Sequence, residues 1–268
     1  MKLIRSKDGV QIAAWTSGAG EPLLLVHGAT ADHTAWEAVL PALERHFSVW
    51  TMDRRGRGGS GDLPNHALER EAEDVAAVVD AIGGRVHVLG HSFGGLCALE
   101  AALLTANIGG LVLYEPPLPA FERSGPGWVD PRMQALIDAG EPEQALLHFY
   151  REVLKMPPHE LSAIRALPNW PARVLAVHTI SRELRAVDGF SLESRPFRRV
   201  QNPTLLMLGG SSPPPWRARA EAFRAALSNR QIVELPGQGH VAMRTAPELF
   251  VHAVVEFLSA HAQASRGG

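Results

Sequence analysis

Cysteine is nearly absent, with one residue, Cys97, in 268. That excludes an internal disulfide framework and a paired-thiolate metal site, fits a reducing compartment, and leaves Cys97 as a small core residue. An excess of charge of either sign is missing too. Lys and Arg total 26 against 28 Asp and Glu, a net charge of −2 with no run of like sign, so nothing forms a footprint for a phosphate backbone or an anionic membrane. The expected partner is a small molecule, with no nucleic acid and no membrane. No segment approaches the roughly 18 apolar residues of a membrane span. The opening MKLIRSKDGVQIAAW enters polar, strand-like sequence at once and lacks the about 7 to 15 apolar residues of a signal peptide, so a cytoplasmic location is expected. Neither a Gly-Lys-Ser/Thr phosphate loop nor a His-Glu-x-x-His zinc motif is present, and neither cofactor nor metal is expected.

The apolar residues that are present fall into alternating patterns. Leu3–Ile4 and Val10–Trp15 flank Lys7, Asp8 and Gly9, and an Asp-Gly pair between apolar runs predicts an antiparallel hairpin. LLLVHG, ending at His27 and Gly28, is then a continuous apolar run suited to a strand buried on both faces of a parallel sheet. Three further runs, Phe47–Asp53, Arg85–Gly90 and Leu111–Pro116, alternate with helical patterns at Trp36–Glu44, Leu68–Ile82 and Phe93–Thr105, which implies right-handed βαβ units. After Pro116 the strand rhythm stops. Residues 117–199 keep helical periodicity only, punctuated by prolines. The strand TLLMLGG, a helix over Trp216–Leu227, the strand QIVEL and a helix over Pro247–Ala260 complete the sheet. The predicted class is α/β, a mostly parallel central sheet with helices on both faces. A core over residues 1–116 and 200–262 is expected to carry a helical cap insertion over 117–199 and a flexible tail at 263–268.

The sequence GHSFGG, Gly90 to Gly95, contains G-x-S-x-G. The strand RVHVL runs into it and the small-residue helix FGGLCALEAALL leaves it, the strand-turn-helix setting in which that motif presents a nucleophile. A serine on so tight a turn sits in strained backbone, and Gly90 and Gly94 remove side chains that would collide there. The helix beginning at Phe93 aims its N-terminus at the site, favouring negative charge that develops during acyl transfer. PGQGH places His240 in a glycine-rich loop between the last strand and the last helix, able to bring an imidazole over the sheet's end as a base for Ser92. His91 is expected to point elsewhere by the geometry of the turn, and His27 to brace its own loop.

With these motifs in order, the sequence resembles the α/β-hydrolase family from about Leu23 to the last helix. HGAT, His27 to Thr30, looks like the family's oxyanion loop, DRRGRGGS, Asp53 to Ser60, is similar to the turn after the next strand, and GQGH resembles the histidine loop. The resemblance implies an oxyanion hole made by the backbone N–H groups of Ala29 and Phe93. It also exposes a departure. The commonest family pattern places an aspartate a few residues after the strand that here reads TLLMLGG, but Ser211 and Ser212 stand there, followed by three prolines, and no carboxylate comes before Glu221. Glu115, ending LVLYE, is the expected substitute, a placement that resembles certain haloalkane dehalogenases and zearalenone-type lactonases and keeps the order serine, acid, histidine. Asp188 and Glu193 are more distant alternatives. The acid's task is to hold the imidazole tautomer and stabilise the imidazolium.

GRGGSG, Gly56 to Gly61, formally matches a dinucleotide fingerprint, but two arginines separate it from the strand, and Asp62 and Pro64 keep it from opening a helix. Asp53 on that turn reads as structural. The insertion carries Phe121, Trp128, Phe149, Tyr150, Trp170, Phe190 and Phe197, and Trp216 follows the proline run. Most would be packing residues, with Trp128, Tyr150, Trp170 and Trp216 the candidates to line an apolar pocket above Ser92. The function expected is cleavage of a carboxylic ester or lactone, probed against two alternatives: a cofactor-free carbon–carbon bond hydrolase or lyase on the same fold, and a slow-turnover receptor. Haloalkane dehalogenation is disfavoured, because those enzymes carry aspartate where Ser92 stands.

Overall fold

The computed structural model describes residues 1–119 and 128–264, with side chains through residue 261. Phe121 and the tail residues 265–268 lie outside the described residues. Eight strands form one sheet: β1 (Lys2–Arg5), β2 (Gln11–Gly18), β3 (Glu21–Val26), β4 (Phe47–Met52), β5 (Val86–His91), β6 (Ile108–Tyr114), β7 (Thr204–Gly209) and β8 (Arg230–Leu235). Their order is β1-β2-β4-β3-β5-β6-β7-β8. β1 and β2 pair antiparallel and β2 joins β4 antiparallel, while the rest is parallel. Eleven helices accompany the strands among the described residues: α1 (Leu40–Leu43), α2 (Leu68–Ile82), α3 (Phe93–Ala101), α4 (Pro131–Asp138), α5 (Pro142–His148), α6 (Pro158–Arg165), α7 (Trp170–Leu175), α8 (Ile180–Asp188), α9 (Pro214–Ala226), α10 (Ala242–Thr245) and α11 (Pro247–Ala264).

The continuous apolar runs are central strands because both sheet faces are covered. Leu24, Val26, Val88, Leu113 and Leu206 meet α2, α3 and α9 on one side. Their neighbours Leu23, Leu25, Leu89, Val112 and Met207 meet α1 and α11 on the other. Between β6 and β7 the described chain is helical, and α4 to α8 bury a third apolar cluster of their own around Met133, Leu146, Phe149, Ile164 and Ile180. A buried ion-pair network ties that segment to the sheet: Arg54 meets Glu71 at 2.8 Å and Glu183 at 3.0 Å, and Arg57 also binds Glu183. No helix of the described residues is long and apolar enough to cross a membrane.

The order of strands fixes where a ligand fits. From β3 the chain crosses to β4 on one side and reaches β5 on the other, so the connections leaving β3 and β5 part at their carboxyl ends, the crevice in which open α/β sheets bind ligands. His27–Thr30 and Ser92 lie at those two ends.

Candidate active site

Ser92 follows β5 directly with φ 52° and ψ −125°, backbone that a residue with a side chain rarely adopts. The turn is held by Ser92 N–H donating to Tyr114 O at 2.9 Å and Gly95 N–H to Ser92 O at 2.8 Å. It is possible only with the flanking glycines. A Cβ on Gly90 would lie 2.5 Å from Gly94 O, and one on Gly94 2.4 Å from the carbonyl oxygens of Val26 and His27. Thr30 and Glu115 also have positive φ, so among the described residues three of the four non-glycine residues with positive φ, Lys155 being the other, surround this crevice. Strain of this kind persists where surrounding contacts over-determine it, and it concentrates at functional sites.

His240 arrives from the loop after β8 and points Nδ1 at Glu115 Oε2, 2.7 Å away. The Glu115 side chain is fully buried. Its other oxygen accepts from Gly209 N–H at 2.8 Å, so Glu115, directly after β6, is pinned by the end of β7. A carboxylate can only accept here, which places the imidazole proton on Nδ1 and leaves Nε2 with its lone pair free. Ser92 and His240 line the same cavity. The alternative acids lie elsewhere: Asp188 accepts from Trp128 N–H at 2.8 Å and Val129 N–H at 3.2 Å, and Glu193 takes the Ser191 hydroxyl at the surface.

Ala29 lines that cavity too, and Gly28 brings its backbone against Ser92, since a Cβ there would stand 3.0 Å from Ser92 Cβ. Phe93 opens α3, so its N–H has no acceptor within the helix. His27 is buried and braces the loop, accepting from Arg54 N–H at 3.1 Å through Nε2 and donating through Nδ1 to Gly28 O at 2.8 Å. Burial holds its pKa well below the ordinary histidine value, with the charges of Arg54 and Arg57 adding to the effect.

Of the four aromatic candidates, the structure brings one to Ser92. Tyr150, on a π turn over Phe149–Val153, lines the cavity and shares a 2.6 Å hydrogen bond with Thr30 Oγ1. Trp216 packs on the far side of His240, ring centroids 4.7 Å apart, and lines a neighbouring cavity. Trp170 does not reach the pocket. It stacks behind Tyr150 and donates its indole N–H to Glu143. Trp128 does not reach it either, because Arg219 lies against its ring and that of Trp216 and its N–H is tied to Leu118 O. Both indoles have a polar partner outside the cavity, which draws the rings away from it.

The structure also corrects the expectation for His91. Its ring turns toward the site, lines the cavity with Ser92, packs 4.7 Å from the His240 ring and donates from Nε2 to His240 O at 2.8 Å. Burial, reinforced by the nearby His240 and Arg173, keeps it neutral by lowering its pKa well below the usual value. Tyr114 completes this support, its hydroxyl donating to Gly239 O and accepting from Ala242 N–H at 3.3 Å. Two further residues had no sequence signal, because they sit among surface-like charges on short helices. Arg173 of α7 lines the cavity that Ser92 also lines. Glu160 of α6 stands beside the histidine loop, where burial raises its pKa despite the opposing His159 and His240.

The glycine-rich turn after β4 folds over Asp53, whose carboxylate accepts from His33 N–H at 2.8 Å and Gly59 N–H at 2.7 Å, so these groups face a side chain and not a pyrophosphate. No group of three or more His, Cys, Asp or Glu suited to a metal ion occurs among the described residues.

A model of the alpha/beta hydrolase family matches residues 23–253. An alpha/beta hydrolase from Sphaerobacter thermophilus DSM 20745 superimposes with a TM-score of 0.82 at 35% identity, over 96% of this chain and 99% of that one. An esterase from Rhodococcus sp. ECU1013 gives 0.73 at 26% identity, over 96% and 98%. The 2-hydroxy-6-oxo-6-(2'-aminophenyl)hexa-2,4-dienoic acid hydrolase of Metapseudomonas resinovorans is 24% identical over 270 residues, 96% of this chain and 91% of its own.

Proposed function

This chain belongs to the alpha/beta hydrolase family, and from that premise we propose that Ser92, His240 and Glu115 are a catalytic triad that hydrolyses a small carboxylic ester or lactone. The observation that carries the reading is the buried Glu115–His240 pair at 2.7 Å, set at the rim of a cavity that Ser92 also lines. Glu115 fixes the tautomer in which His240 Nε2 accepts a proton. Ser92 Oγ attacks the carbonyl carbon while its proton passes to Nε2, and the new oxyanion takes hydrogen bonds from the Ala29 and Phe93 N–H groups. Collapse breaks the bond to the alcohol, which leaves with the proton from Nε2. Water then attacks the acyl-enzyme with His240 again as base, releasing the acid and restoring Ser92.

The walls support a substrate with an apolar body. Trp36, Phe149, Met156, Ile164 and Met243 face the cavity, and such linings bury small organic ligands well. Helices α4 to α8 would then act as a cap that sets specificity above an unchanging triad. A second reading has one observation behind it: the Metapseudomonas resinovorans relative is named as hydrolase of a dienoic acid, which keeps carbon–carbon cleavage by the same serine in view. A panel of aryl esters, lactones and a 2-hydroxy-6-oxohexa-2,4-dienoic acid separates the two by product. Ser92→Ala is expected to abolish turnover and labelling by a fluorophosphonate, and wild-type rates in that variant would end the proposal.

A further inference from the structure

The cavity's polar wall does not fit a wholly apolar substrate. Among the described residues its lining includes two guanidinium groups, Arg173 and Arg244, and neither Asp nor Glu. Arg173 is 7% exposed. Its Nη1 donates to Thr30 Oγ1 and to Tyr150 OH, and its Nε to Asn169 Oδ1, each at 3.3 Å. All three acceptors are neutral, and all three bonds are longer than the roughly 2.7–2.9 Å of charge-assisted ones. A buried cation without a counter-charge is costly, and three of the other buried arginines avoid the cost, whereas Arg219 has only ring faces beside it and burial lowers its pKa to about 10. Arg54, Arg55 and Arg57 each meet carboxylates, and Arg219 lies against the faces of Trp128 and Trp216. No ion pair links Arg173 or Arg244 to a carboxylate of the described residues. Burial and the charge of Arg173 lower the pKa of Arg244, only partly opposed by Glu37.

We infer that the missing counter-charge comes with the ligand: the substrate carries a carboxylate, which Arg173 binds inside the cavity with Arg244 as a second cation. A carboxylate is singly charged, and Arg173 Nη2, which makes none of these three bonds, has its N–H groups left to donate to it in a cavity walled largely by apolar side chains. The favoured class is therefore an ester whose apolar body ends in a free acid. This rests on the hydrolase reading for its orientation, with the reacting carbonyl at Ser92 and the acid at Arg173.

The test is the ratio of kcat/KM for a mono-aryl ester of glutaric acid to that for its neutral aryl methyl diester. Wild-type protein is expected to prefer the acid, and Arg173→Met to lower the ratio about 10- to 100-fold, the worth of one charged hydrogen-bonded contact. Arg173→Lys should keep part of the preference. Should Arg173→Met fail to fold, Arg244→Gln carries the same comparison with a smaller fall. A wild-type preference for the diester, or a ratio unmoved by these substitutions, overturns the inference. A second arm needs no turnover: phenylacetate should raise Tm more than phenylacetamide, and equal shifts overturn the inference. Absence of any ester turnover would remove the hydrolase reading and leave phenylacetate binding to decide the anion site.

Discussion

Replacing Glu115 by Gln alters the proposed acid with almost no change of shape. Two arrangements of the amide are open, and each fails for a stated reason. If the amide oxygen keeps the Gly209 N–H, 2.8 Å from Oε1 in the native protein, its NH2 faces His240 Nδ1, 2.7 Å from the native Oε2. Two donors cannot share that bond, so the imidazole proton moves to Nε2 and the base has no lone pair for Ser92. If the amide flips, the oxygen restores the Nδ1–H bond but the NH2 opposes Gly209 N–H, leaving buried donors unmatched at a cost of about 1–3 kcal/mol. In both arrangements the negative charge that stabilises the imidazolium is gone. Fixing the wrong tautomer in a serine triad lowers turnover about 10⁴-fold, roughly 5 kcal/mol at about 1.4 kcal/mol per decade. Steady-state kcat on an aryl ester, with circular dichroism to show an intact fold, reads the effect. A loss under tenfold in a folded variant would refute the assignment of Glu115 and move the acid elsewhere.

Other perturbations test neighbouring steps. Gly94→Ala forces a Cβ to within 2.4 Å of two carbonyl oxygens, so thermal unfolding should show a loss of at least about 1–3 kcal/mol, as for overpacked sites; an unchanged Tm would mean the elbow is looser than described. His27 and His91 have pKa values well below the ordinary 6.5 when folded. The unfolded chain takes up those protons first, so their contribution is complete above pH 6.5 and lost as pH falls below it, by up to about 1.4 kcal/mol per pH unit for each histidine. His91→Gln should make urea-unfolding stability fall less steeply between pH 6.5 and 5.5, and an identical slope would contradict a neutral His91. Glu183→Ala strips the carboxylate that Arg54 and Arg57 share between α8 and the turn after β4. It is expected to cost about 3–5 kcal/mol, the usual effect of stranding a buried charge, measured by denaturant unfolding.

The parts of the candidate site legible in the sequence are those whose geometry is local. Ser92 was legible because G-x-S-x-G lies between a strand and a helix that announce themselves by periodicity, and the colliding positions at Gly90 and Gly94 follow from the same turn. The expected helix over Trp36–Glu44 was less faithful. The structure breaks it into a 3-10 turn at His33–Trp36 and the short α1, with Pro41 at the start of α1. The backbone turn alone does not place the His91 ring, whose orientation is set by a carbonyl 149 residues away in sequence. Trp128 and Trp170 were indistinguishable from Tyr150 by composition, since what separates them is whether a polar partner lies outside the cavity. Arg173 had no signal at all. On α7 it looks like any helical arginine, and only the close approach of that helix to Thr30 and Tyr150 makes it a buried cation.

The position of the proposed acid follows from the sheet itself. β6 and β7 are parallel neighbours, with Tyr114 in register with Met207, so Glu115, the residue after β6, lies close to Gly209 at the end of β7. A carboxylate can reach that point from either strand. On β7 the chain turns through Gly209, Gly210, Ser211 and Ser212 into the prolines that begin α9, and it contributes a backbone donor instead of an acid. On β6, Glu115 crosses to that donor, and the left-handed backbone at φ 45° swings its carboxylate toward β7. Aspartate would be one methylene short of holding Gly209 N–H and His240 Nδ1 together. Glu115→Asp should therefore retain charge yet lose the two-point anchor, giving kcat between those of the wild type and Glu115→Gln. A Glu115→Asp rate equal to wild type would show that position in the sheet, and not reach, decides which carboxylate serves the histidine.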